Sequence, residues 1–134
     1  MRTHFIYTAI FAFMALFATA QNTVTVTVTG LKSSNGNLML EMVDAKGKVV
    51  AQKLETISNK KSTIVIEDVK QGTYAIRFFH DENNNQKMDT GTFGIPTEGY
   101  GFSNNARGFM GPPDLEDMLF TVNGDVNMTL KTKN

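Results

Sequence analysis

Thr23-Val24-Thr25-Val26-Thr27-Val28-Thr29 alternates threonine and valine without a break. Successive side chains of a strand point to opposite faces, so Val24, Val26 and Val28 share one face and the threonines take the other. A helix would scatter the valines around its circumference and crowd so many β-branched side chains at χ1. The stretch predicts a strand with one buried and one wet face, the pattern of an antiparallel sheet packed on one side.

The same period recurs outward from it. Leu38, Leu40 and Met42 alternate with Asn37, Met39 and Glu41, and a weaker strand runs from about Val49 to Glu55. Thr63-Ile64-Val65-Ile66 reads as a fourth strand. In Thr73 to Phe79, Tyr74, Ile76 and Phe78 face one way while Ala75, Arg77 and Phe79 face the other. Leu115 to Val122 and Val126 to Lys131 complete the set, joined by Asn123-Gly124, a strong hairpin signal. An alternative for residues 115–119 is a helical turn with Asp114 as N-cap. Seven short strands without a helical period predict an all-β fold, a single antiparallel β-sandwich, immunoglobulin-like or transthyretin-like. The threonine-rich first strand and the last strand, with Lys131 and Lys133 near its end, suit protected sheet edges.

Residues 1–20 read as an address. Arg2 and His4 precede an apolar run from Phe5 to Phe17, and Ala18-Thr19-Ala20 offers a small-residue cleavage site before Gln21. That is the pattern of a signal peptide, and the run is too short to cross a ~30 Å hydrocarbon core. It predicts an exported protein, periplasmic or extracellular (secreted), with one domain over residues 21–134 and no membrane-embedded segment after cleavage. The chain has 13 basic and 13 acidic side chains and no basic cluster, which argues against nucleic acid as a partner. Without cysteine it has neither disulfides nor thiolate metal sites.

Between the fifth and sixth expected strands lies one long loop, residues 81–113, holding all three prolines and six of the 11 glycines. Loops beyond ~12–15 residues are uncommon in small domains and usually functional when ordered. Asp81, Asn83, Asn85 and Asp89 occupy positions 1, 3, 5 and 9 of an EF-hand-type calcium loop. Lys87 falls at position 7, where the backbone carbonyl is the ligand. Hard oxygen donors of this kind point to Ca²⁺ as the cofactor. Position 6 is Gln86 rather than glycine, and position 12 is Thr92 rather than glutamate, leaving Glu82 or a folded-back Glu98 to supply a further carboxylate. The competing reading is an asparagine-rich turn that needs no ion, since Asp and Asn cap their own backbone.

The second half of the loop carries Phe93, Ile95, Tyr100, Phe102, Phe109 and Met110 among its glycines. One reading is a ligand surface of Tyr100, Phe102 and Phe109 for a glycan or peptide; the preferred one is a lid that packs all six side chains on the sandwich. His80, Asp81 and Glu98 form an alternative set for metal-assisted hydrolysis, although no nucleophile is apparent and Ser103 lacks a glycine elbow.

His80-Asp81-Glu82-Asn83, Lys87-Met88-Asp89 and Gly94-Ile95-Pro96-Thr97-Glu98-Gly99-Tyr100-Gly101-Phe102-Ser103-Asn104 resemble a bacterial exported family catalogued as domain of unknown function 2141. The resemblance extends from the Gly72-Thr73-Tyr74-Ala75-Ile76 approach to the Gly111-Pro112-Pro113 exit. It implies a secreted or periplasmic β-protein and no defined activity. Family members commonly carry Asn-Gly where this chain has Asn85-Gln86. More loosely, the segment from Ile66 to Ile76 is similar to transthyretin-like and carboxypeptidase-regulatory-like sandwiches, which implies an accessory module. Together these readings predict a non-enzymatic binding or scaffolding module whose partner is an extracytoplasmic glycan, peptide or protein.

Overall fold

Strand β1 (Asn22–Thr29) buries its valines completely and leaves its threonines half-exposed, as the alternation requires. The computed structural model describes residues 21–134, and the expected signal peptide lies outside the described residues. The remaining strands are β2 (Asn37–Asp44), β3 (Val49–Thr56), β4 (Ser62–Val69), β5 (Gly72–Asp81), β6 (Tyr100–Phe102), β7 (Phe120–Val122) and β8 (Val126–Lys131); α1 (Leu115–Met118) is a single turn. They form two sheets, one ordered β4-β1-β8 and one ordered β3-β2-β5-β6, with β7 also pairing β5. No helix among the described residues is long and apolar enough to cross a membrane.

One core lies between the sheets. Val24, Val26, Val28, Ile64, Ile66 and Leu130 from the smaller sheet meet Leu38, Leu40, Met42, Ile76, Phe78 and Val122 from the larger. Fully burying an aliphatic side chain of this kind contributes ~1.5–3 kcal/mol, enough for a cysteine-free domain to hold together. Gly101 faces Phe78 across the β5–β6 pair, and a Cβ there would sit 2.4 Å from the Phe78 ring.

Several expectations are corrected. β1 is the central strand of its sheet, and its threonines face outward from that sheet rather than guarding an edge. β1 and β8 are parallel, so the sandwich is antiparallel with one exception. Residues 115–122 are not one strand, because α1 occupies the first half. The Asn123-Gly124 turn makes no hairpin. β7 pairs β5 in one sheet and β8 pairs β1 in the other, so the turn carries the chain between sheets. The eighth strand, β6, lies inside the long loop. Tyr100 and Lys133 exchange backbone hydrogen bonds of 3.0 and 2.8 Å, stitching β6 to the chain beyond β8. The sandwich is thereby closed along that seam. Along the other, β3 and β4 are the outer strands of their sheets among the described residues, joined by the Ser58–Lys61 turn.

Candidate functional site

β5 runs straight into the loop, so the loop's first residues inherit the burial of the strand. His80 and Asp81 are 0% and 1% exposed. Because the carbonyl of Asn35 can only accept, the 2.6 Å contact to it places a hydrogen on His80 Nε2. Among the described residues Nδ1 has no hydrogen-bond partner, and Glu82 Oε1 lies 3.7 Å away. Gly36, at φ +69°, presses so closely on Asp81 that a Cβ would collide with its carbonyl oxygen. The Gly30-to-Asn37 connection thus backs the loop from behind.

The five predicted metal-binding residues are brought into one hydrogen-bonded turn. The Asp81 carboxylate accepts the backbone N–H groups of Asn85 and Gln86 at 3.2 and 2.8 Å. Asn83 and Asn85 each accept from the backbone two residues on, at Asn85 and Lys87. Their amide nitrogens converge on Asp89, 2.6 and 2.7 Å from its two carboxylate oxygens. The Asn85 amide first, and the Asn83 amide next, hold the Asp89 carboxyl below its ordinary value. That contribution is present above the usual carboxylate range and lost as pH falls through the lowered value. Gln86 takes φ +60°, the left-handed conformation that glycine at position 6 would take.

Glu98 does fold back, and it grips the main chain. One carboxylate oxygen accepts the Asp89 N–H at 2.9 Å and the other the Glu82 N–H at 2.8 Å, with Glu98 itself 6% exposed. It closes the turn across its two ends. Among the described residues no three His, Cys, Asp or Glu side chains group as a metal cluster, so any ion here would rely on the amides as well. His80, Asp81 and Glu98 are buried and already engaged, and the hydrolase reading finds no support in this geometry.

The lid expectation is corrected for four of its six side chains. Phe93, Phe109 and Met110 are 96%, 93% and 93% exposed, and Ile95 is 63% exposed. The physical reason is local. Gly91 and Ile95 close a tight turn around Phe93, at φ +60°, and Met110 sits at φ +55° between Gly108 and Gly111, so both tips turn outward. Tyr100 and Phe102 stay half-buried as strand residues, their rings edge to face at 5.9 Å, while Phe109 stands apart from them. Ser103, with its side chain fully buried, accepts the Ile76 N–H at 2.9 Å and donates to the Met118 carbonyl, pinning the loop to β5 and α1.

A feature that sequence reading missed lies on the outer face of the larger sheet. Strand register sets Leu54, Met39, Phe79 and Tyr100 side by side in one row, and Gln52, Glu41, Arg77 and Phe102 in the next. A third row, Val43 and Ala75, is covered by Met118 of α1. Apart from Tyr100, the first two rows stay open as a groove of about 510 Å³, walled on the loop side by Gln86 and Met88. Arg77 Nε donates to Glu41 at 2.6 Å across its floor. The Gln52 amide, then Arg77, holds the Glu41 carboxyl below its usual value.

A family profile described as an uncharacterised protein conserved in bacteria (DUF2141) matches residues 26–130, from within β1 almost to the end of β8. The chain belongs to this family. The matched range spans the whole Asp81-to-Pro113 loop and both rows of side chains on the outer face of the larger sheet. The family description specifies no reaction. No curated protein matches the chain.

Proposed function

We propose that this member of the family is an exported binding module, that the groove on the outer face of the larger sheet seats an extended peptide, and that Ca²⁺ braces the loop beside it. The groove carries the reading. The smaller sheet turns half-exposed threonines outward from β1, whereas the larger sheet exposes Met39, Leu54 and Phe79 in a channel left open by α1. Methionine side chains at 39 and 88 adapt to varied apolar partners. Glu41, Arg77, Gln52 and Gln86 offer both donors and acceptors, which suits a peptide backbone. The Glu41–Arg77 pair is itself neutral.

Support for the ion comes from Asp81, Asn83, Asn85 and Asp89 meeting in one turn with Gln86 left-handed at position 6. On binding Ca²⁺ the two amides turn their oxygens inward, and the Lys87 carbonyl adds a donor. With two carboxylates and no glutamate at position 12, affinity falls at the weak end, ~10⁻⁴ M or looser. Calcium at about 100 times its dissociation constant then adds ~2.7 kcal/mol of stability.

The test is calorimetry with a library of extended apolar peptides, in chelator and in millimolar calcium. Leu54→Asp, at an exposed rim position, weakens binding at least about tenfold, the cost of putting a charge into an apolar contact, with the melting temperature little changed. Unaltered peptide affinity in Leu54→Asp would remove the groove from the account. Identical melts with and without calcium, and no binding heat, would leave the loop an ion-free turn.

A further inference from the structure

Among the described residues, the four large apolar side chains that protrude furthest, Phe93, Ile95, Phe109 and Met110, all belong to the Asp81-to-Pro113 loop, outside the peptide groove. Phe109 and Met110 have a further property. The Gly108-to-Gly111 tip that carries them borders a small cleft lined by Tyr100, Arg107, Lys131 and Lys133, with no acidic side chain in its lining. All three basic residues are exposed, and Lys133 Nζ lies 5.9 Å from the centre of the Tyr100 ring. The nearest acid in sequence, Asp114, comes after Pro112-Pro113.

We propose that this tip is a membrane-docking element that inserts Phe109 and Met110 into the surface of an anionic lipid bilayer while Arg107, Lys131 and Lys133 meet the headgroup phosphates. Charge complementarity selects the surface: three cations with no acid among them attract anionic lipid, and the attraction falls within a Debye length. The exposure selects a lipid over a protein partner. Side chains 93% exposed touch almost nothing of their own protein, so no frame holds them in the one rotamer a shaped protein pocket demands. A fluid acyl phase imposes no such demand. Tyr100, half-buried at the cleft with Lys133 over its ring, is the kind of amphipathic side chain that settles at headgroup depth. The contact is peripheral: a two-residue tip inserts shallowly and reversibly.

Flotation of the purified protein with phosphatidylcholine vesicles, and with phosphatidylcholine–phosphatidylglycerol vesicles, tests this. The protein floats with the mixed vesicles and not with the neutral ones. Phe109→Ser/Met110→Ser lowers partitioning at least about tenfold, given the apolar area lost. Arg107→Gln/Lys131→Gln removes most of its salt dependence. Neither pair alters the thermal melt, because the side chains of Arg107, Phe109, Met110 and Lys131 are all exposed. Absence of flotation with anionic vesicles overturns the proposal, as does flotation that Phe109→Ser/Met110→Ser leaves intact. A protein partner that binds the tip while anionic vesicles do not reassigns it as a protein-docking site.

Discussion

Glu98→Gln separates two accounts of the loop. In the structure both Glu98 oxygens accept backbone N–H groups, from Glu82 and Asp89, and the side chain is buried. Glutamine keeps one acceptor and places an NH₂ donor against the other N–H. The loss is one charge-assisted bond, ~1.5–3 kcal/mol, plus the cost of a buried N–H left unpaired, partly offset by water reaching the loop. A net loss of ~2–4 kcal/mol is expected, a large share of the ~5–15 kcal/mol of a typical domain. Read by urea denaturation, it lowers the midpoint by roughly 1–3 M with an unchanged slope. Because the clamp acts on the main chain, the loss appears equally in chelator and in calcium. A loss confined to the calcium-loaded protein would make Glu98 a cation ligand, and one below about 0.5 kcal/mol would refute the clamp, being no larger than a typical surface substitution.

Ser103→Ala deprives the Ile76 N–H and the Met118 carbonyl of their buried partner, at a cost of ~2–4 kcal/mol that a urea melt reads directly. Retention of full stability would show that water or a shift of α1 replaces the hydroxyl. Gln86→Gly removes the strain of a side chain at φ +60°, ~1–2 kcal/mol, and adds ~0.5–1 kcal/mol of backbone entropy to the unfolded chain, so thermal stability rises slightly or holds. Gln86→Ala, as strained as the parent, gives no such gain, and a clear destabilisation by glycine would count against a left-handed residue 86.

How much was legible follows from the range of each signal. The alternation in β1, β2 and β5 is local, so both strand positions and faces could be read: Val24, Val26, Val28, Ile76 and Phe78 are all in the core. Sheet membership is not local. Asn123-Gly124 has the same two residues whether the chain turns back on its neighbour or crosses to the other sheet, and the parallel β1–β8 pair depends on how the whole chain wraps. β6 was invisible because three residues with a glycine at their centre carry too little pattern, and its pairing with Phe79 and Lys133 comes from tertiary contacts. In the same way the turn from Asp81 to Asp89 could be read from spacing within a few residues, whereas the groove is assembled from β2, β3, β5 and β6, which are spread over residues 37–102. One trace of it was present. Met39 and Phe79 are apolar residues on the faces of β2 and β5 turned away from the core, and register makes them direct neighbours. A single such residue is ordinary surface, but two brought together across paired strands expose a joint apolar area that folding leaves uncovered. Since α1 already covers Val43 and Ala75 on the same face, this sheet had a local means of burying the rest and did not use it. That selective gap is the physical argument for a ligand over the row of Leu54, Met39 and Phe79.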